Sequence, residues 1–189
     1  ETADRKAIKE TLNDYIRWRG DLTFDEAPFS VQDNLILCQL AYVDFNKVLN
    51  QMDTECVSLR KCARIIEKEN AYDLRNLYGG HKDFFKEVCA SRRFGDIELR
   101  YYKDFFEKEQ QVQFAAVEFV MPQRTSFVAF RGTDDSIVGW KEDFMLSFSR
   151  IPAQTLAAQY LQEGIRFGRK YYVGGHSKGG NLAVYACAW

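Results

Sequence analysis

Between residues 4 and 93 apolar positions recur at helical spacing, and beyond Gly95-Asp96 they begin to alternate with polar ones. The helical half is clearest at residues 59–69, where Leu59, Cys62, Ala63 and Ile66 fall on one side of a 3.6-residue repeat. Residues 81–91 repeat the pattern with Phe84, Phe85 and Val88. Ser30-Val31-Gln32-Asp33 has the form of a capped start before an apolar stretch, and Gly79-Gly80 punctuates the path between helices. Residues 1–95 are therefore predicted to form a helical layer packed on the C-terminal half of the chain.

That second half has a period of two. Ile97-Glu98-Leu99-Arg100-Tyr101 alternates, residues 112–120 read as a longer strand, Pro122-Gln123-Arg124 as a turn and residues 126–131 as a third strand. Strands joined in this way predict an antiparallel meander. Residues 153–167 are predicted helical up to a stop at Gly168, and residues 170–173 form a short strand. The third strand, that helix and this strand then make a crossover unit, which implies parallel pairing. The predicted class is α/β, with residues 96–189 carrying the sheet and no internal repeat or low-complexity segment.

Composition changes this picture little. The 189 residues suit one domain with a helical preface, and 46% apolar with 28% charged residues is ordinary globular usage. The 26 basic and 27 acidic side chains are spread along the chain and leave a formal charge of -1, which provides no footprint for nucleic acid. Cys38, Cys56, Cys62, Cys89 and Cys187 are odd in number and lack metal-ligand spacing, so they read as reduced, buried thiols in a cytoplasmic protein. No apolar run is long enough to span a bilayer, and the first ten residues lack a signal-peptide core. A membrane surface as partner has no support in the sequence.

Chemistry enters near the end of the chain. Tyr171-Tyr172-Val173 runs straight into Gly174-Gly175-His176-Ser177-Lys178-Gly179-Gly180, and a helical Asn181-Leu182-Ala183-Val184-Tyr185-Ala186 comes next. A Gly-x-Ser-x-Gly between a strand and a helix has the form of a nucleophile elbow. Gly175 and Gly179 are needed there because the serine sits in strained backbone and larger side chains would collide with neighbouring main chain. His176 is expected to pack behind the elbow. The helix that begins at Lys178 points its first N–H groups toward Ser177, so the Lys178 amide is the natural first donor to an oxyanion. A phosphate-binding loop is disfavoured, since it places Lys directly before Ser or Thr and here Ser177 precedes Lys178.

Upstream stands Ser126-Phe127-Val128-Ala129-Phe130-Arg131-Gly132-Thr133, with Trp140-Lys141-Glu142-Asp143 shortly after. An apolar strand ending in Phe-Arg-Gly-Thr, a Trp-x-x-Asp and a later Gly-His-Ser-x-Gly-Gly together resemble the class 3 lipases of the α/β-hydrolase fold. Residues 14–24 and 33–37 are similar to a bacterial, poorly characterised group of lipase-like hydrolases. The resemblance covers residues 97–189. It implies that Ser177 is the nucleophile and that Thr133 joins the Lys178 amide in the oxyanion hole. The residues themselves fit that role, because a strand end and turn bring a hydroxyl and an N–H near the neighbouring strand's exit. Arg131 and Asp143 read as scaffold, and Trp140 as core. Lys178 stands where those lipases carry an apolar residue, which argues against an apolar acyl channel along that wall.

A serine hydroxyl needs a base, normally a histidine oriented by a carboxylate. His176 adjoins Ser177 and is poorly placed for it, and His81 precedes the serine, whereas the α/β-hydrolase order is Ser, acid, His. The fold expected is thus an α/β-hydrolase sheet, incomplete on its C-terminal side, whose acid and base lie on a further part of the same protein. The function expected is ester hydrolysis on a small-molecule or lipid ester, with no metal or organic cofactor. The rivals are a hydrolase scaffold kept as a binding module, and a thioesterase, acyltransferase or peptidase on the same fold.

Overall fold

Thr11 and Ser30 start the first two helices in the same way. Each side chain accepts a hydrogen bond from the N–H of the third helical residue, and the aspartate there, Asp14 or Asp33, accepts one from the capping residue's own N–H. In the computed structural model, which describes residues 11–49, 56–68, 81–107, 112–133 and 151–189, these helices are α1 (Leu12–Arg19) and α2 (Val31–Leu40). The short α3 (Asn46–Leu49), β1 (Cys56–Ser58), α4 (Leu59–Lys68) and α5 (His81–Ala90) come next. The second half runs β2 (Glu98–Glu107), β3 (Val112–Met121), β4 (Thr125–Phe130), α6 (Pro152–Gly164), β5 (Lys170–Gly175) and α7 (Lys178–Ala188). The expectations for Gly79-Gly80, Trp140 and Asp143 fall outside the described residues.

The strands form one sheet in the order β1-β2-β3-β4-β5. Pairing is antiparallel from β1 to β4 and parallel between β4 and β5. The chain is therefore mixed α/β, with a meander that leads into a crossover. Because strand side chains alternate, β3 and β4 each serve two cores. Val117, Phe119, Phe127 and Ala129 face the N-terminal helices, while Phe114, Ala116, Val128 and Phe130 face α6 and α7. Burying each of these Phe side chains contributes about 1.5–3 kcal/mol, so the sheet is held from both sides.

Four elements depart from expectation by more than one residue, each for a physical reason. β1 lies inside the supposedly all-helical region; three residues are too short to show a period, and the strand exists through its pairing of Cys56, Val57 and Ser58 with Arg100, Leu99 and Glu98. β2 continues past Tyr101 to Glu107, beyond a register shift between Arg100 and Lys103 where Tyr101 adopts φ 50°. Past that bulge Phe105 and Phe106 are both exposed, so alternation disappears although the strand does not. α6 stops at Gly164, short of the expected 167, because Ile165 turns extended and the Arg166 N–H donates to the Tyr171 hydroxyl. β5 reaches Gly175 because its pairing with β4 extends to Phe130.

The five cysteines are free. Cys38, Cys62 and Cys89 are buried as expected, Cys56 is half-buried, and Cys187 is exposed, a correction to the expectation that all are buried. Burial pushes the Cys38 and Cys62 thiols up to about 12, so at neutral pH they remain protonated packing groups. Among the described residues no helix is long and apolar enough to cross a membrane.

Candidate active site

Ser177 lies between β5 and α7 with φ 56° and ψ −124°. L-residues rarely occupy this region, and holding one there costs about 1–3 kcal/mol unless the surroundings enforce it. Two enforcing contacts are short backbone bonds: the Gly179 N–H donates to the His176 carbonyl at 3.0 Å, and the Gly180 N–H to the Ser177 carbonyl at 2.9 Å. Ser177 is exposed, and the amide directly after it, that of Lys178, opens an eleven-residue helix. The positive end of that helix is aimed at the bend.

The flanking glycines are sterically required. A Cβ on Gly179 would fall onto the Phe130 carbonyl oxygen, and one on Gly175 onto the Gly179 carbonyl. Both contacts are with main chain, which has nowhere to yield. Gly179→Ala is expected to cost about 1–3 kcal/mol in a urea titration. A cost below about 0.5 kcal/mol would mean that the strand end and the helix start do not meet as described.

The parallel register sets Phe130 opposite Gly175, so β4 and β5 release their next residues side by side. Arg131-Gly132-Thr133 leaves one strand as His176-Ser177 leaves the other. The approach is close at Gly132, where a Cβ would strike the His176 carbonyl oxygen. Thr133 and Ser177 are thus each one residue away from that contact. Thr133 is buried at 8% exposure.

Two neighbouring side chains, His176 and Lys178, are placed otherwise than expected, and two partners, Tyr42 and Asp104, carry no signal in the sequence. His176 does not pack out of sight behind the elbow: it is exposed, and its Nδ1 lies 3.2 Å from the hydroxyl of Tyr42, a residue of the helical layer. Lys178 lines no substrate wall, because its side chain turns into the fold at 2% exposure and its ammonium donates to the Gln113 carbonyl at 3.0 Å. A buried ammonium loses several kcal/mol of hydration, and such a carbonyl contact offsets part of it. Arg131 is scaffold as expected, gripping Asp104 of β2 with bonds of 3.0 and 2.9 Å. The fork-on-carboxylate geometry stiffens the strand end just before Thr133. Neither Asp104, beyond the β2 bulge, nor Tyr42 carries a motif that could have drawn attention to it.

Among the described residues no group of three His, Cys, Asp or Glu side chains converges. The His81 side chain lies outside the described part of α5. A family model described as Mbeg1-like matches residues 88–189, from within α5 through β2, β3, β4 and β5 to the end of α7. No curated protein and no solved structure matches the chain.

Proposed function

The chain belongs to the Mbeg1-like family, and from there we propose that it is a serine hydrolase of α/β-hydrolase architecture, similar to the class 3 lipases. It cleaves carboxylic esters, lipid esters among them, through an acyl-enzyme on Ser177. One observation carries this reading: an exposed serine held at φ 56° on a glycine-flanked bend, directly before a helix N-terminus. A serine serving only as a connector gains nothing from such strain, whereas a nucleophile gains exposure and adjacent amide donors.

In this mechanism the Ser177 Oγ attacks the acyl carbonyl while a histidine takes its proton. The Lys178 amide and Thr133 hold the oxygen that becomes negative. The proton then passes to the leaving alcohol, and water, deprotonated by the same base, releases the acid. The steps need no metal or organic cofactor. His176 already engages Tyr42 through Nδ1, and His81 precedes the serine in the chain. Neither is assigned as the base: His176 adjoins the nucleophile on the bend, and the α/β-hydrolase order is Ser, acid, His.

A fluorophosphonate probe offered to the full-length protein tests the reading. The expected result is a covalent adduct mapped by mass spectrometry to Ser177; its absence at millimolar probe would favour a binding module on a hydrolase scaffold. Thr133→Ala should lower kcat for an ester roughly a hundred- to a thousand-fold, as loss of one oxyanion donor does, with a circular dichroism spectrum like that of wild type. Turnover within a few-fold of wild type would remove Thr133 from the site.

A further inference from the structure

We propose that Tyr42 is a positioning residue: its hydroxyl ties the end of β4 to the elbow and so sets the separation between Thr133 and Ser177. The catalytic part of this inference rests on the hydrolase reading, but the tie itself does not. Tyr42 lies two residues beyond α2 and is only 2% exposed. A buried phenol seeks a hydrogen-bond partner. Here one lies outside its own layer, because the hydroxyl is 3.2 Å from His176 Nδ1, with the rings 6.3 Å apart and tilted by 59°. The same hydroxyl fills the space that a Cβ on Gly132 would need, and so does the His176 carbonyl oxygen. One oxygen atom thus touches the residue before Thr133 and the residue before Ser177.

That placement matters for two physical reasons. A serine in a sparsely populated backbone region stays there only while its surroundings over-determine it, and a bond to the preceding side chain is one such constraint. Oxyanion donors also act over a narrow range of distance, so a shift of one strand end against the other weakens transition-state binding more than substrate binding. Gly132 is part of the device, since any side chain there would displace the hydroxyl.

Tyr42→Phe in the full-length protein removes the oxygen and keeps the ring. Amide hydrogen exchange, which needs no activity, should rise about tenfold at residues 132–133 and 176–178, as expected when one hydrogen bond is lost, while the β3 amides stay as they are. Unchanged exchange at both segments would overturn the tie. In ester hydrolysis kcat should fall about tenfold with KM within twofold, and adding His176→Gln should slow the enzyme no further, because both changes cut one link. A loss confined to KM, or fully additive losses, would overturn the positioning role. Should wild-type Ser177 take no fluorophosphonate, the hydrolase reading fails and the exchange result alone judges the tie.

Discussion

Ser177→Gly is expected to abolish ester turnover and yet make the protein more stable. Loss of the nucleophile removes the acyl-enzyme route, a fall on the order of 10⁶ in kcat where the remaining machinery is intact. Stability moves the other way. At φ 56° and ψ −124° the serine backbone is strained, and glycine, without a Cβ, relieves about 1–3 kcal/mol of that strain. The greater freedom of glycine in the unfolded chain takes back about 0.5–1 kcal/mol. A net gain of about 1 kcal/mol corresponds to roughly 2–4 °C in Tm for a chain of this size. Ser177→Ala should be equally inactive without the gain, because alanine keeps the Cβ. Thermal unfolding of the two variants side by side decides the matter: a glycine variant that melts below the alanine variant would show that no strain is held at the bend.

The largest loss of stability is expected at Arg93. Its guanidinium and the Asp33 carboxylate are buried to 1% and 0% exposure and joined by bonds of 2.8 and 2.6 Å. Arg93 also donates to the carbonyls of Leu22, Thr23, Ala27 and Pro28, while Asp33 accepts from Tyr15 and anchors the start of α2. Removing the cation would leave a carboxylate and several carbonyls in the interior without that donor. Arg93→Met should therefore cost about 3–5 kcal/mol. Asp33→Asn alone should also be costly, yet the double variant should lose less than the sum, because the second change removes the charge that the first left behind. Urea titrations of the three variants check this; an Arg93→Met protein within about 1 kcal/mol of wild type would show that the pair holds nothing. The effect should reach the sheet. The loop that Arg93 gathers carries Phe29, which stacks on Tyr172 of β5 at 4.7 Å, two residues before the Gly174-Gly175 approach to the serine.

Much of this arrangement is visible along the chain because it rests on local chemistry. A capping box needs only a serine and an aspartate three residues apart, so the start of α2 is readable at Ser30. The change from helical spacing to alternation after Gly95 marks the sheet, since period two is how a strand divides its side chains between two cores. Glycines on both sides of Ser177 announce a bend that tolerates no Cβ. Elements without a local signal stay hidden. β1 is three residues long and is made by its partner strand. The far half of β2 lies beyond a bulge that breaks the phase of the pattern.

The α/β class, the meander and crossover, and the bend that carries Ser177 are all written in short stretches of the chain, because periodicity, caps and glycine spacing act over a few residues and need no distant partner. Packing in three dimensions is what turns Lys178 inward to Gln113, closes Arg131 on Asp104, and carries the Tyr42 hydroxyl to His176 across 134 positions. Those contacts depend on which faces the sheet and helices turn toward one another. A polar side chain that loses water on burial takes whatever partner the packing brings within reach, and no short stretch of sequence records which one that is.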